Sequence, residues 1–181
     1  ASAWLNSQNA SQGGVGILMS PNAYKSINNV VCSSERIITA HFEGNPRVSV
    51  MCSYAPTNCA DDKIAEDFYQ QLTEEIKLIP KYNVLIVAGD FNAPTCPTCH
   101  IPGASYHQKP NRNGQLLLDL LTECNMKSLN TSFRKRKGQL WTIKYANGAH
   151  GQIDNILINN KWKSSALNCQ AHHSFATVKS D

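Results

Sequence analysis

Residues 83–89 (Asn-Val-Leu-Ile-Val-Ala-Gly) hold no polar side chain between their ends, so the run predicts a strand covered on both faces. A chain built on such a strand must fold in layers, with further strands beside it and helices above and below. The run empties into Asp90-Phe91-Asn92-Ala93-Pro94, a polar loop at a strand's carboxyl end. Binding residues favour such positions, because a rigid strand aims a loop at a cleft.

The other elements follow from periodicity. Residues 14–20 form a short apolar run between Gly-Gly and Ser-Pro and predict a strand. Residues 36–43 and 47–54 are β-branched and partly alternating, with Glu43-Gly44-Asn45-Pro46 between them, a β-hairpin pattern. Ile64, Phe68, Leu72, Ile76 and Ile79 recur at helical steps, which predicts an amphipathic helix from about Asp61 to Leu78, with Asp61 and Asp62 at its positive end and Pro80 beyond it. Leu116, Leu117, Leu120, Leu121 and Cys124 mark a second helix after Asn113-Gly114. Residues 139–145 and 152–159 flank a loop with Asn147-Gly148 and predict a second hairpin. Hairpins mixed with helical crossovers give an α/β or α+β class, antiparallel pairs lying inside sheets covered by helices. The strand order does not follow from the sequence.

The chain has 181 residues, room for one domain, and no apolar run near the ~20 residues of a membrane span. Residues 1–12 are a polar segment without charge, and residues 13–181 form the domain. Both ends have the look of cuts through a longer polypeptide, and no secretory signal is visible. Seven cysteines, an odd number, then favour reduced thiols over a disulfide framework and an intracellular setting. Six of the thirteen acids (Asp61, Asp62, Glu66, Asp67, Glu74 and Glu75) crowd into residues 61–75 beside one base, Lys63. Sixteen bases face seven acids elsewhere, a balance that suits a polyanionic partner.

Asp90 and Asn92 have two readings from the residues alone. The carboxylate could hold a divalent cation or orient a water while the amide donates to a phosphate oxygen; or both could serve an Asx-turn and satisfy only local backbone. Asp154 interrupts the apolar Ile153, Ile156 and Ile158, so it either pairs with a Lys or Arg or points into a wet cleft. Arg134-Lys135-Arg136-Lys137, between Phe133 and Trp141, could grip a DNA backbone or form a solvated loop. Lys161-Trp162-Lys163 is a weaker pattern of the same kind.

Taken together, the motifs resemble the endonuclease–exonuclease–phosphatase superfamily, the DNase I-like fold. The finer likeness is to the endonuclease domain of non-LTR (LINE-type) retrotransposons and to craniofacial development protein 2-like sequences. It is carried by Gly13-Gly14-Val15-Gly16-Ile17, Ser53-Tyr54-Ala55-Pro56-Thr57, Gly89-Asp90-Phe91-Asn92-Ala93, Arg112-Asn113-Gly114, Leu140-Trp141-Thr142 with Gln152-Ile153-Asp154, and Ser180-Asp181. The resemblance implies a four-layer sandwich of two mixed sheets covered by helices, here lacking its N-terminal strand region and its C-terminal strand. It also implies an endonuclease that nicks DNA with Mg²⁺, Mn²⁺ being a substitute. Asp90 then prepares the attacking water, Asn92 helps bind the phosphate, Tyr54 reaches the scissile phosphate, and Asp154 orients a catalytic His. Asp181 and Asp90 stand near the metal, and Arg112, Trp141 and the run 134–137 meet DNA.

The family's metal-ligating Glu and its catalytic His are not found in this sequence, so the expectation is an impaired nuclease. A reverse-transcriptase region of the same polyprotein and a nuclear location are further implied. Two other readings share the fold: a nucleic-acid-binding module without catalysis, and a relative acting on RNA tails or phosphoinositides. Cys96-Pro97-Thr98-Cys99-His100 matches the haem-attachment pattern, and Cys96 and Cys99 with Cys169 and His172 match paired zinc knuckles. Chance thiols in loops are the simpler account of both.

Overall fold

A computed structural model describes residues 3–6, 14–94, 111–145, 148 and 150–172. Cys96, Cys99, His100 and Asp181 lie outside the described residues, so the expectations placed on them stay with the sequence. The strands are β1 (Ala3–Asn6), β2 (Gly16–Met19), β3 (Ile27–Ser34), β4 (Ile37–Phe42), β5 (Val48–Tyr54), β6 (Val84–Asp90), β7 (Met126–Ser128), β8 (Ile143–Lys144), β9 (His150–Gly151) and β10 (Asp154–Asn159). The helices are α1 (Pro21–Lys25), α2 (Asp62–Leu78) and α3 (Arg112–Glu123), with 3₁₀ turns at Lys137–Gln139 and Asn160–Ser165.

Six strands form one mixed sheet in the order β3-β4-β5-β6-β10-β7. The predicted hairpin is present as β4 and β5, antiparallel with Ile37 opposite Ser53. β5 and β6 run parallel, Val48 beside Val84 and Tyr54 beside Asp90, and α2 makes the crossover that a parallel pair requires. β10 closes antiparallel on β6 and pairs on its other side with β7.

One face of the sheet carries Ile37, Met51, Leu85, Val87 and Leu157, and α2 and α3 cover it with Phe68, Tyr69, Leu72, Ile76, Leu117 and Leu120. Phe91 and Ala93, from the loop after β6, are sealed into the same core. Each large side chain there contributes about 1.5–3 kcal/mol by leaving water, so this layer stabilises the sheet most. On the opposite face Ile38 and Ala40 are buried where β2 lies over β4. The cover thins towards β10, where Ile156 is 39% exposed.

Two local expectations change, and two strands form where the sequence pattern marks none. The helix from Asp62 to Leu78 buries Ala65, Phe68, Tyr69, Leu72, Thr73 and Ile76, whereas Ile64 is half exposed, because the stripe is centred one residue further round. Strands 139–145 and 152–159 do not pair as a hairpin; only Ile143–Lys144 meets His150–Gly151, and β10 joins the main sheet, where Leu157 and Ile158 find a buried place. The polar segment at the start contributes β1, which pairs with β2. β3, with Asn28, Asn29, Ser33 and Ser34 in its span, is a strand because it edges β4, not because its sequence alternates.

Gly89 lies beside Ser53 in the β5–β6 pair. A Cβ built there would lie 1.8 Å from the Ser53 carbonyl oxygen, a backbone atom that cannot step aside. Gly89→Ala should therefore destabilise the fold by about 3 kcal/mol, read as a lower urea midpoint with an unchanged slope.

Candidate active site

β5 and β6 end on the same side of the sheet because they are parallel, and β10 begins there because it is antiparallel. Register then places Tyr54 beside Asp90 and Asp90 beside Asp154. Directly paired residues share a face, so three side chains from strands that are far apart in sequence project together. They lie on the face opposite the helices, since their neighbours Ser53 and Asn155 point into the helix-side core.

The loop after β6 is tightly held. The Phe91 amide donates to the Ile153 carbonyl (3.0 Å), and the Ala55 amide donates to the Asp90 carbonyl (2.8 Å), so the backbone at Asp90 is bonded to both flanking segments. The Asn92 amide donates to Oδ1 of Asp90 at 2.8 Å, and Asn92 itself is left-handed at φ 47°, a region that Asn tolerates better than most residues. The Asn92 side-chain amide donates to the Ala55 carbonyl at 3.0 Å. The Asx-turn is thus real, and among the described residues Oδ2 of Asp90 and one side-chain N–H of Asn92 have no hydrogen-bond partner.

Burial pushes the Asp90 carboxyl above the usual carboxylate range; the Asn92 amide opposes that shift and the Asp154 charge adds to it. Asp154 is exposed, and no ion pair reaches it among the described residues. Burial, followed by the Asp90 charge, raises the Tyr69 phenol well above its ordinary value, and its hydroxyl donates to the Phe91 carbonyl at 3.2 Å. Tyr54 is half-buried with the Arg36 guanidinium 5.4 Å from its ring centre, and Nη1 of Arg36 donates to the Tyr54 carbonyl.

Several residues position these groups; the sequence motifs contain Asn113 and Thr142 without a role for them, and do not mark Asn111 or Asn130. Asn111 caps α3 by accepting from the Gly114 amide (2.7 Å) and donates to the Asn92 carbonyl (3.1 Å). Fully buried Asn113 donates to the Pro56 carbonyl at 2.8 Å, tying the segment after Tyr54 to α3. On the β10 side, Asn130 donates to the Asp154 carbonyl and accepts from the Ile156 amide, both at 2.9 Å. The Thr142 hydroxyl accepts from the Ile153 and Asp154 amides. The signal for Asn111 and Asn113 was Asn-Arg-Asn-Gly ahead of a helix, an N-cap pattern.

The expected DNA contacts divide. Arg112 commits its guanidinium to the Ala60 and Thr57 carbonyls, Asp62 and Asn113, which makes it a clamp between α2 and α3. Trp141 stacks against His150 at 4.4 Å. Arg134 and Arg136 are exposed, while the Lys135 ammonium lies 5.3 Å from the Phe133 ring and bonds to Asn168. Arg134, Lys135 and Arg136 form no ion pair among the described residues. The Lys137 backbone begins a 3₁₀ turn.

Among the described residues no three His, Cys, Asp or Glu side chains come together as a metal cage. What the site offers is two adjacent carboxylates, one of them with a raised pKa, and neither in an ion pair among the described residues. That donor set fits Mg²⁺, which takes one or two carboxylates and fills its other positions with water and phosphate oxygens.

The chain has the DNase I-like fold. It matches the 3′–5′ exonuclease NExo from Neisseria meningitidis with a TM-score of 0.68 and 17% identity, over 92% of this chain and 70% of that one. A second NExo structure, described as a 3′ phosphatase bound to product DNA hairpin, matches at TM-score 0.63 and 18% identity, over 89% and 68%. An AP endonuclease from Archaeoglobus fulgidus matches at TM-score 0.67 and 15% identity, over 90% and 68%. In sequence the chain is 27% identical over 167 residues to craniofacial development protein 2 of Bos taurus, covering 90% of this chain and 28% of that protein. The chain thus spans less than a third of that relative's length. No family model matches it.

The raised Asp90 pKa carries a sign. Below the ordinary carboxylate range the group is neutral in both folded and unfolded chains and has no effect; as pH rises through that range the unfolded chain ionises more readily, and stability is lost. Asp90→Asn, which keeps an acceptor for the Asn92 amide, should raise Tm by about 2 °C or more at neutral pH and leave it unchanged near pH ~3. Calorimetry at the two pH values checks this.

Proposed function

We propose that the chain is the catalytic domain of a metal-dependent endonuclease that hydrolyses a phosphodiester in one strand of DNA, of the retrotransposon type. The observation that carries this reading is the register of Tyr54, Asp90 and Asp154 at one end of the sheet. The fold match to NExo and to an AP endonuclease supports it, and so does the description of NExo with a DNA product.

Asp90 accepts a proton from the attacking water, its other carboxylate oxygen being held by the Asn92 amide. Asn92 turns its remaining amide N–H towards a phosphate oxygen, and the Tyr54 hydroxyl donates to another. Asp154 accepts a hydrogen bond from the imidazole that the family resemblance implies and keeps it oriented. Asp90 and, by the family resemblance, Asp181 would hold Mg²⁺ or Mn²⁺, which would supply positive charge against the phosphate. The clamps from Asn111, Asn113, Asn130 and Thr142 keep these groups in place before substrate arrives, so little of the barrier goes to reorganisation.

Arg134, Lys135, Arg136 and Lys137 are the proposed grip on the DNA backbone. They belong to the segment between Asn130 and Thr142, the two residues that hold the backbone at Asp154. Arg112 and Trp141 act behind them, Arg112 by fixing α3 and Trp141 through its stack on His150. No helix among the described residues is long and apolar enough to cross a membrane. A nuclear location and a reverse-transcriptase neighbour in the same polyprotein belong to the same proposal.

In the longer protein that carries these residues, Asp90→Asn and Asp154→Asn should each slow Mg²⁺-dependent nicking of supercoiled plasmid by about 10²–10³. Nicking at the wild-type rate in both variants would defeat the proposal. Normal DNA binding with no cleavage by the unaltered protein would favour the binding module. Replacing the four residues 134–137 by alanine should flatten the salt dependence of DNA affinity by about 0.9 in the log–log slope for each phosphate they neutralise. An unchanged slope removes the run from the interface.

A further inference from the structure

At the far end of the sheet, where β6 begins and β10 ends, there is a cavity of about 500 Å³. Leu85 on its wall is five residues from Asp90 along β6, about 17 Å at the rise of a strand. A ligand there would not compete directly for the candidate active site. The volume is within the range of small-molecule sites.

The wall is apolar, with Ile76, Ile79, Pro80, Leu85 and Met126. Three lysines stand around it, Lys77, Lys81 and Lys161. Lys77 is bonded to Glu123, which neutralises the acid at this cavity. Lys81 and Lys161 have no ion pair among the described residues. The Lys161 ammonium lies 4.2 Å from the centre of the Tyr82 ring, and that tyrosine is 57% exposed. Lys163 follows on the same turn.

Asn125 and Asn160 complete the lining. Asn160 donates its side-chain amide to Oδ1 of Asn125 (3.1 Å), and its backbone amide donates to the Asn125 carbonyl (3.0 Å). That bond uses neither the Asn160 side-chain carbonyl nor the Asn125 amide nitrogen, so the lining carries both an acceptor and a donor. A nucleobase edge presents donors and acceptors that such groups can meet. Apolar walls would take the base, and unpaired lysines beside an exposed aromatic ring would take the phosphate.

We propose that this cavity binds a nucleotide unit, its base against Leu85 and Met126 and its phosphate on Lys81 and Lys161. The same chemistry is offered by a free mononucleotide and by the end of a single strand. The inference goes beyond the nuclease reading and stands without it.

The test is calorimetric titration of the whole protein with deoxyadenosine 5′-monophosphate, with a 5′-phosphorylated pentadeoxyadenylate and with inorganic phosphate, together with methyl NMR. Saturable binding that moves the methyls of Met126 and Ile79, and weakens at least tenfold in Lys81→Ala/Lys161→Ala, is the expected result. A pentamer at least tenfold tighter than the mononucleotide identifies a strand end, and equal affinity identifies a free nucleotide. Both lysines are on the surface, so the variant should fold, and circular dichroism checks that. Met126→Leu, which reshapes the wall while leaving the charges, should alter the affinity for nucleotide but not for phosphate. Four results would overturn the inference: no saturation by either nucleotide, undiminished binding in the lysine variant, shifts confined to the end of β6, or phosphate alone binding as tightly as the mononucleotide.

Discussion

The backbone approach at Gly89 is the constraint on which the candidate site depends. Because no Cβ intervenes, the Ser53 carbonyl lies against β6 at the point where both strands are about to end. The parallel register is thereby held to its last pair, and Tyr54 stays beside Asp90. On the other edge, the Phe91 amide on the Ile153 carbonyl carries the same alignment to β10 and Asp154. Strand pairing is the most direct way to bring distant residues together, since the hydrogen bonds that stabilise the sheet also set the site.

The site sets support against strain on charge. Two carboxylates share one end of a sheet, and burial disfavours ionisation of Asp90. The apolar layer on the other face offsets that penalty, with Phe91 sealed next to Tyr69 and the helices. The loop after β6 therefore has two functions: Phe91 and Ala93 anchor it in the core, and Asp90 and Asn92 alternate with them. Alternation along the motif separates the residues of the core from those of the candidate site. Asn92 shows how tightly the two are joined, because its left-handed backbone, its amide on Asp90 and its side chain on Ala55 all serve one turn.

The asparagines are the means by which loops are fixed without charge. Asn111 and Asn113 each use a planar amide to join backbone groups of different segments, and Asn130 uses one to hold two backbone groups of β10. A lysine or arginine would bring a charge next to Asp90 and Asp154 and alter the field there; an amide joins the same carbonyls with none. Arg112 is compatible with the site because its charge is taken up by Asp62 and by backbone carbonyls near the start of α2.

Much of this is legible in the sequence alone. The apolar run at 83–89, the hairpin at 36–54 and the helices at Asp61–Leu78 and after Asn113 are local matters, set by hydrophobic period, caps and breakers that act within a few residues. The Gly-Asp-Phe-Asn and Ile-Asp motifs are legible for the same reason. Tertiary structure decided what depends on partners. It made β3 a strand although its sequence is half polar, drew β10 out of the expected hairpin into the main sheet, and turned Ile64 outward. It also gave Arg112 its acceptors and Asn113 its burial. Strand order and register are relations between segments distant in the chain, settled by which pairing buries the most surface, and no local pattern encodes that sum.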